Sequence, residues 1–269
     1  LRHLAEVSLH EEWQMKKQTL LVLLLMGMFL GLGAAAALAD EIASNIETRI
    51  IDDFDNADTL NGKPREWTWF VRGSKFIDPA SLEWKLVDGY PNTLYTKKQA
   101  EGKELRILGI KGSFQRKGYN YYEIIPVKKD DKGNWVPRPI ELPGLVKTID
   151  MWVWGSGFNY DLEVFVLDSR GVNYSLKLGN LQFEGWKSLS VAVPSYIPQS
   201  RRYIPKREAL YLTKIVIWTT AEERVNDFYV YFDQLKVNTD TFISKFDGDE
   251  LADPEEINKL WTEGKNFKQ

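Results

Sequence analysis

Apolar and polar residues alternate with a period of two through most of the chain from residue 48 to 238. Val172, Tyr174, Leu176 and Leu178 are separated by Asn173, Ser175 and Lys177, and Leu189, Val191 and Val193 alternate with Ser188, Ser190 and Ala192. Successive side chains of a strand point to opposite faces, so each run predicts a strand with one buried and one wet face. Similar runs rich in Val, Ile, Thr, Tyr, Phe and Trp occupy 48–54, 65–71, 82–87, 104–110, 119–125, 145–154, 159–167, 211–219 and 227–237. Such residues suit a pleated, half-buried surface, and about eleven strands result.

Gly155-Ser156-Gly157 and Ser169-Arg170-Gly171 read as short hairpin loops, the first joining 145–154 to 159–167 and the second joining 159–167 to 172–178. No helix-period segment intervenes, so crossovers are missing and the sheets are expected to be antiparallel. The predicted fold is all-β: a two-sheet sandwich of jelly-roll, carbohydrate-binding-module-like type, with a short C-terminal helix. That helix has Asp253 as N-cap, Pro254 at its first position, Glu255 and Glu256 in its first turn and Gly264 at its exit. Ile257, Leu260 and Trp261 share one of its faces, and so short a helix needs a surface to dock on. The stretches 86–103, 126–144 and 194–210 read as longer irregular connections, where a rigid scaffold places binding residues.

Upstream of the strands, Met15-Lys16-Lys17, an apolar run from Leu20 to Leu32 and the small residues ending Ala37-Leu38-Ala39 have the three parts of a secretory signal. The run is also about long enough to span a bilayer, but its Ala-rich end and the acids Asp40-Glu41 favour cleavage after Ala39. The expected organisation is a leader plus cleavable signal peptide (1–39), a single β-sandwich domain (40–240) and a C-terminal tail with a short helix (241–269). Residues 1–14 read as a translated leader or an extended n-region. The mature chain is then an exported protein with no membrane attachment.

Both histidines, His3 and His10, precede that cleavage point, and the chain has no cysteine. The mature protein therefore lacks a Ser-His-Asp triad, a Cys nucleophile and His-ligated metal chemistry, and it must hold together by burial rather than by disulfides. A formal charge of −3 with evenly scattered basic residues offers no footprint for nucleic acid.

Carboxylate chemistry remains. Asp52-Asp53-Phe54-Asp55 adjoins the first strand and Asp233 lies in the last; were these strands neighbours, Asp53 and Asp233 would be the residues to test for a structural Ca²⁺. Otherwise no cofactor is expected. A glycosidase needs two facing carboxyls, and no spacing here singles out a pair. For most of the tryptophans, Trp67, Trp69, Trp84 and Trp218 among the candidates, core packing is the default, but Trp152 and Trp154 lie opposite Ile149, Met151 and Val153, so one of these two rows needs a cover. An exposed aromatic pair is also a platform for a sugar ring. Arg201, Arg202, Lys206 and Arg207 form the densest basic cluster and, with Trp135 and Trp261, are the candidate assembly contacts.

The segments IDDFD (in the 50–55 region), EWTWFVRGSKF (66–76), LVKTIDMWVWG (145–155), DLEVFVLDSRGVNYSLKLGNLQFEGWKSLSVAVP (161–194) and FYVYFDQLKV (228–237) resemble the FlaA family, the flagellar filament outer layer (sheath) proteins of spirochaete periplasmic flagella. The resemblance covers about residues 48–240 and is most specific in GxxYxLxLGxLxFxGWKxLxVxVP. It implies a non-enzymatic structural protein exported by its own signal peptide. It also implies assembly around core flagellins, with other sheath proteins and with further copies in a lattice, influencing filament shape, stiffness and motility. Gly171, Tyr174, Leu178, Gly179, Gly185, Trp186 and Lys187 match the motif and are read as turn and core residues. An exported carbohydrate-binding β-sandwich module is the alternative.

Overall fold

The computed structural model describes residues 45–60, 62–199, 209–241 and 254–263. The segment 1–39 read as leader and signal, together with Arg201, Arg202, Lys206, Arg207, Asp253 and Gly264, lies outside these residues. In chain order the strands are β1 (Ile46–Asp52), β2 (Thr59–Leu60), β3 (Lys63–Pro64), β4 (Thr68–Gly73), β5 (Glu83–Asp88), β6 (Arg106–Gly112), β7 (Tyr121–Lys129), β8 (Trp135–Pro137), β9 (Ile140–Leu142), β10 (Leu145–Ser156), β11 (Asp161–Leu167), β12 (Asn173–Asn180), β13 (Glu184–Ala192), β14 (Leu210–Trp218) and β15 (Phe228–Asp240). Every run with period-two patterning forms a strand.

These strands build two antiparallel sheets. Sheet I has six strands in the order β13-β10-β15-β6-β5, with β1 also on β15. Sheet II has seven, in the order β12-β11-β14-β7-β4, with β8 on β7 and β9 on β14. The long β15 takes β6 along Phe228–Phe232 and β1 along Leu235–Asp240, so the first and last strands are neighbours as expected. Between the two pairings β15 carries one residue more than β10, and Gln234 absorbs it as a bulge with φ 48°.

The inner faces follow the alternation. Ile149, Met151 and Val153 of β10 and Phe228, Val230 and Phe232 of β15 join Leu162, Val164 and Val166 of β11 and Ile215 and Ile217 of β14 in one continuous core. Each such side chain contributes roughly 1.5–3 kcal/mol on burial, which is how a chain without cysteine holds this shape.

Two expectations are corrected. Ser169-Arg170-Gly171 does close a hairpin between β11 and β12, but Gly155-Ser156-Gly157 does not close one: β10 belongs to sheet I and β11 to sheet II, so the chain turns a corner there. A Cβ on Gly155 would lie 2.6 Å from the Phe183 carbonyl oxygen, and Gly157 has φ 76°; a tight corner and a tight hairpin therefore demand the same residue. The 126–144 stretch is not irregular either. It holds the end of β7 and the short strands β8 and β9, the last paired with Leu210–Leu212. At the C-terminus the helix Pro254–Glu263 forms with Pro at its first position.

Candidate functional site

Where one face of a strand is core, the residues between point outward. On sheet I these outward residues are aromatic. Trp152 and Trp154 alternate with the buried row of β10, Tyr229 and Tyr231 with that of β15, and Trp186 projects from β13. The row that needs a cover is Ile149, Met151 and Val153, and the core provides it; the two tryptophans remain half-exposed outside.

Register then assembles these residues across the sheet. Trp186 stands opposite Trp154, Trp154 opposite Tyr231, Tyr231 opposite Gly109 and Gly109 opposite Lys85, one row over β13-β10-β15-β6-β5. Trp154 stacks on Tyr229 at 5.5 Å and 23° and meets Tyr231 edge-on at 5.7 Å and 72°. A wall and a shelf at a steep angle result. The shelf leans over Gly109: a Cβ there would stand 3.0 Å from Tyr231 Cε1, so a larger residue would press on that ring.

Beyond the glycine the surface drops into a groove of about 650 Å³, lined among others by Tyr229, Tyr231, Lys85, Lys111, Glu83 and Asp227. This is the size of a ligand pocket. Glu83 accepts hydrogen bonds from Lys85 at 2.7 Å and lies 2.6 Å from the Lys111 ammonium. Those two lysines, Lys111 foremost, hold the Glu83 carboxyl down at about 2.

One row further along β15, Asp233 pairs with Trp152. It is buried, and burial, reinforced by the nearby Asp55, Asp53 and Asp52, pushes its carboxyl up to about 8. Of the acidic run, Asp52 is the residue locked into the fold, accepting hydrogen bonds from Arg65, from Trp69 Nε1 at 2.7 Å and from the Phe54 N–H at 2.8 Å. Asp53 lies 3.9 Å from Arg65, and its Oδ1 accepts from the Asp55 N–H. The strand adjacency expected for Asp53 and Asp233 is present. Among the described residues, no group of three or more His, Cys, Asp or Glu is arranged to hold a metal ion.

The remaining candidates separate. Trp135, at the start of β8, is 53% exposed with Lys129 over its ring, and Trp261 on the C-terminal helix is 85% exposed; neither belongs to the sheet I row. Within the motif, Gly171 and Gly185 are turn glycines with φ 82° and 94°, Leu178 is core, and Gly179 packs under Leu189. Trp186 and Lys187 are not core: Trp186 is in the outward aromatic row and Lys187 is exposed. Sequence reasoning missed Tyr229, Tyr231, Gly109 and Lys85. The signal for the tyrosines was present in the alternation of Phe228-Tyr229-Val230-Tyr231-Phe232, whose polar phenols mark the wet face.

Residues 91–247, more than half of the chain, match the model of the flagellar filament outer layer protein FlaA family. Over 206 residues the chain is 26% identical to a flagellar filament outer layer-like protein of Brachyspira hyodysenteriae, covering 76% of this chain and 84% of that protein. A 53-residue stretch is 40% identical to the flagellar filament outer layer protein of Borreliella burgdorferi, covering 20% of this chain and 16% of that one. Among solved structures, the family 11 carbohydrate-binding module of a Clostridium thermocellum cellulosomal cellulase superposes with a TM-score of 0.38 at 13% identity, over 72% of this chain and 95% of that chain. A superposition that loose carries no argument about ligands. The family match does carry weight, for it includes β6 to β15 and with them the aromatic row: the chain belongs to the FlaA family of flagellar filament outer layer proteins.

Proposed function

We propose that this protein is a coat subunit of the flagellar filament, exported to the periplasm and laid around a core of flagellins with other sheath proteins and further copies of itself. In this reading it sets filament shape and stiffness and catalyses nothing. The observation that carries it is the family match over residues 91–247. The geometry supports it, since a lattice subunit must be stiff and must offer edges and side chains to its neighbours. A continuous core supplies the stiffness. Tyr119, Trp135, Tyr196 and Trp261, from 53% to 85% exposed, are large rings placed where a neighbour could bury them.

The test is to purify filaments from the organism that encodes the chain and compare them with filaments from a deletion strain. The chain is expected as a major component of the first, beginning at Asp40, and the deletion is expected to change curvature and thin the filament. Filaments of unchanged thickness and composition would refute the proposal.

An exported carbohydrate-binding module is the alternative, and the aromatic groove of sheet I is the observation that favours it. The two readings are compatible, because a coat subunit can carry a ligand site.

A further inference from the structure

We propose that the outward face of sheet I is a binding site for a neutral oligosaccharide, its pyranose rings seated on Tyr231, Tyr229, Trp154 and Trp186 and its hydroxyls turned to Lys85, Lys111 and Glu83. The proposal goes beyond the coat reading and rests on the geometry of this face, so either can fail without the other.

Three features of the face converge on that ligand. The first is the division of chemistry. One side of the groove is formed by half-exposed rings, with Tyr229 40% exposed, and the other by ammonium and carboxylate groups of β5 and β6. A sugar has the matching division: C–H groups on the ring faces, which pack on aromatic rings, and hydroxyls around the rim, which hydrogen-bond to charged and polar groups.

The second is charge. Lys85 and Lys111 are balanced by Glu83 and Asp227 in the groove lining, and Glu83 is engaged by both lysines. A site with no net charge gives little reward to a phosphate, a nucleic acid or an acidic peptide. It suits a ligand that is polar but neutral.

The third is length. The row from Trp186 through Trp154, Tyr231 and Gly109 to Lys85 crosses five strands, a track of roughly 19 Å at the usual spacing between strands. This exceeds a single pyranose and fits a short chain of them. Gly109, in the groove lining, leaves the Tyr231 ring uncrowded, and a branched side chain there would press on that ring.

Isothermal titration of the purified full chain with cellohexaose, mannohexaose, xylohexaose and the N-acetylglucosamine hexamer tests this. At least one is expected to bind with a Kd below about 1 mM. Tyr231→Ala and Gly109→Val are each expected to weaken that binding at least tenfold, while Trp135→Ser on sheet II leaves it unchanged. Thermal melts run alongside report folding. Should either groove variant fail to fold, the native chain still decides: the same sugar is expected to shift its tryptophan emission, and Trp154→Phe is expected to abolish most of that shift. No binding of any of the four hexaoses by the native chain would overturn the proposal. Binding that Tyr231→Ala and Trp154→Phe leave intact would overturn it equally.

Discussion

The two outward faces of the sandwich are built alike and finished differently. Each has one row of side chains crossing five strands. On sheet I that row reads Trp186, Trp154, Tyr231, Gly109, Lys85; on sheet II it reads Arg72, Glu123, Val216, Glu163, Lys177. The sheet II charges find partners within the chain. Glu123 accepts from Arg72 and from Lys214 at 2.6 Å, Glu163 accepts from Trp218 Nε1 at 3.0 Å, and Lys177 reaches Asp161 at 2.9 Å. Lys214 also lies over Phe165. That face is finished with paired charges, whereas the aromatic face ends in a groove that, among the described residues, leaves Tyr229 40% exposed. Surface patterning thus separates the sheet that supports from the sheet that receives.

The faces also titrate in opposite senses at two buried carboxyls, Glu123 and Asp233. Burial works to raise Glu123, but the bonds from Lys214 and Arg72 outweigh it and hold its carboxyl below the ordinary value. Folded, it gives up its proton more readily than unfolded, so the stability it supplies is present above the ordinary carboxylate range and is lost as the pH falls through its folded value. Asp233 on sheet I is the reverse. Its carboxyl is raised from 3.8 to about 8, so the folded chain keeps a proton there that the unfolded chain has lost. Stability falls as pH rises through that window.

Breaking the charge-paired face has the largest expected effect on stability. Glu123→Ala leaves Lys214 and Arg72 without their carboxylate and is expected to cost about 1.5–3 kcal/mol in urea denaturation at pH 7. Glu83→Ala on the groove face, where the carboxylate is solvated, is expected to leave the denaturation midpoint unchanged. Equal losses at the two sites would erase the distinction. Next comes the titration. Asp233→Asn is expected to stabilise the chain by on the order of 1 kcal/mol at pH 8 and to flatten its decline in melting temperature between pH 5 and 8. A variant less stable than the native chain at pH 8 would show that Asp233 is ionised and needed so. Tyr231→Ala removes cross-strand ring contacts and is expected to cost about 0.5–1.5 kcal/mol, a modest stability change beside its effect on ligand. Smallest is Trp135→Ser, expected to lie within about 0.5 kcal/mol of the native chain, because Trp135 is 53% exposed at the start of a three-residue strand.

Strand patterning was legible because alternation is a local property. Runs such as Leu145–Trp154 and Val172–Leu178 state their own inner and outer faces. Strands of two or three residues, as at Thr59–Leu60 and Ile140–Leu142, are too short to alternate, and pairing alone reveals them. The corner at Gly155–Gly157 looks like a hairpin in sequence because both geometries call for glycine, and nothing local says which sheet receives the next strand. The site divides the same way. Trp152 and Trp154 could be placed opposite the core row from their spacing. Tyr231, Gly109 and Lys85 become a site only through register between residues far apart in the chain. The motif places Trp186 among turn and core residues, whereas its alternation with Leu189 puts it on the outer face.

The coat reading is tested most directly by cryo-electron microscopy of intact filaments from the organism that encodes the chain. A repeating two-sheet sandwich is predicted in the outermost protein layer, at a radius beyond the flagellin core and absent from the deletion strain. An outer layer that is unchanged when the chain is deleted would contradict the account.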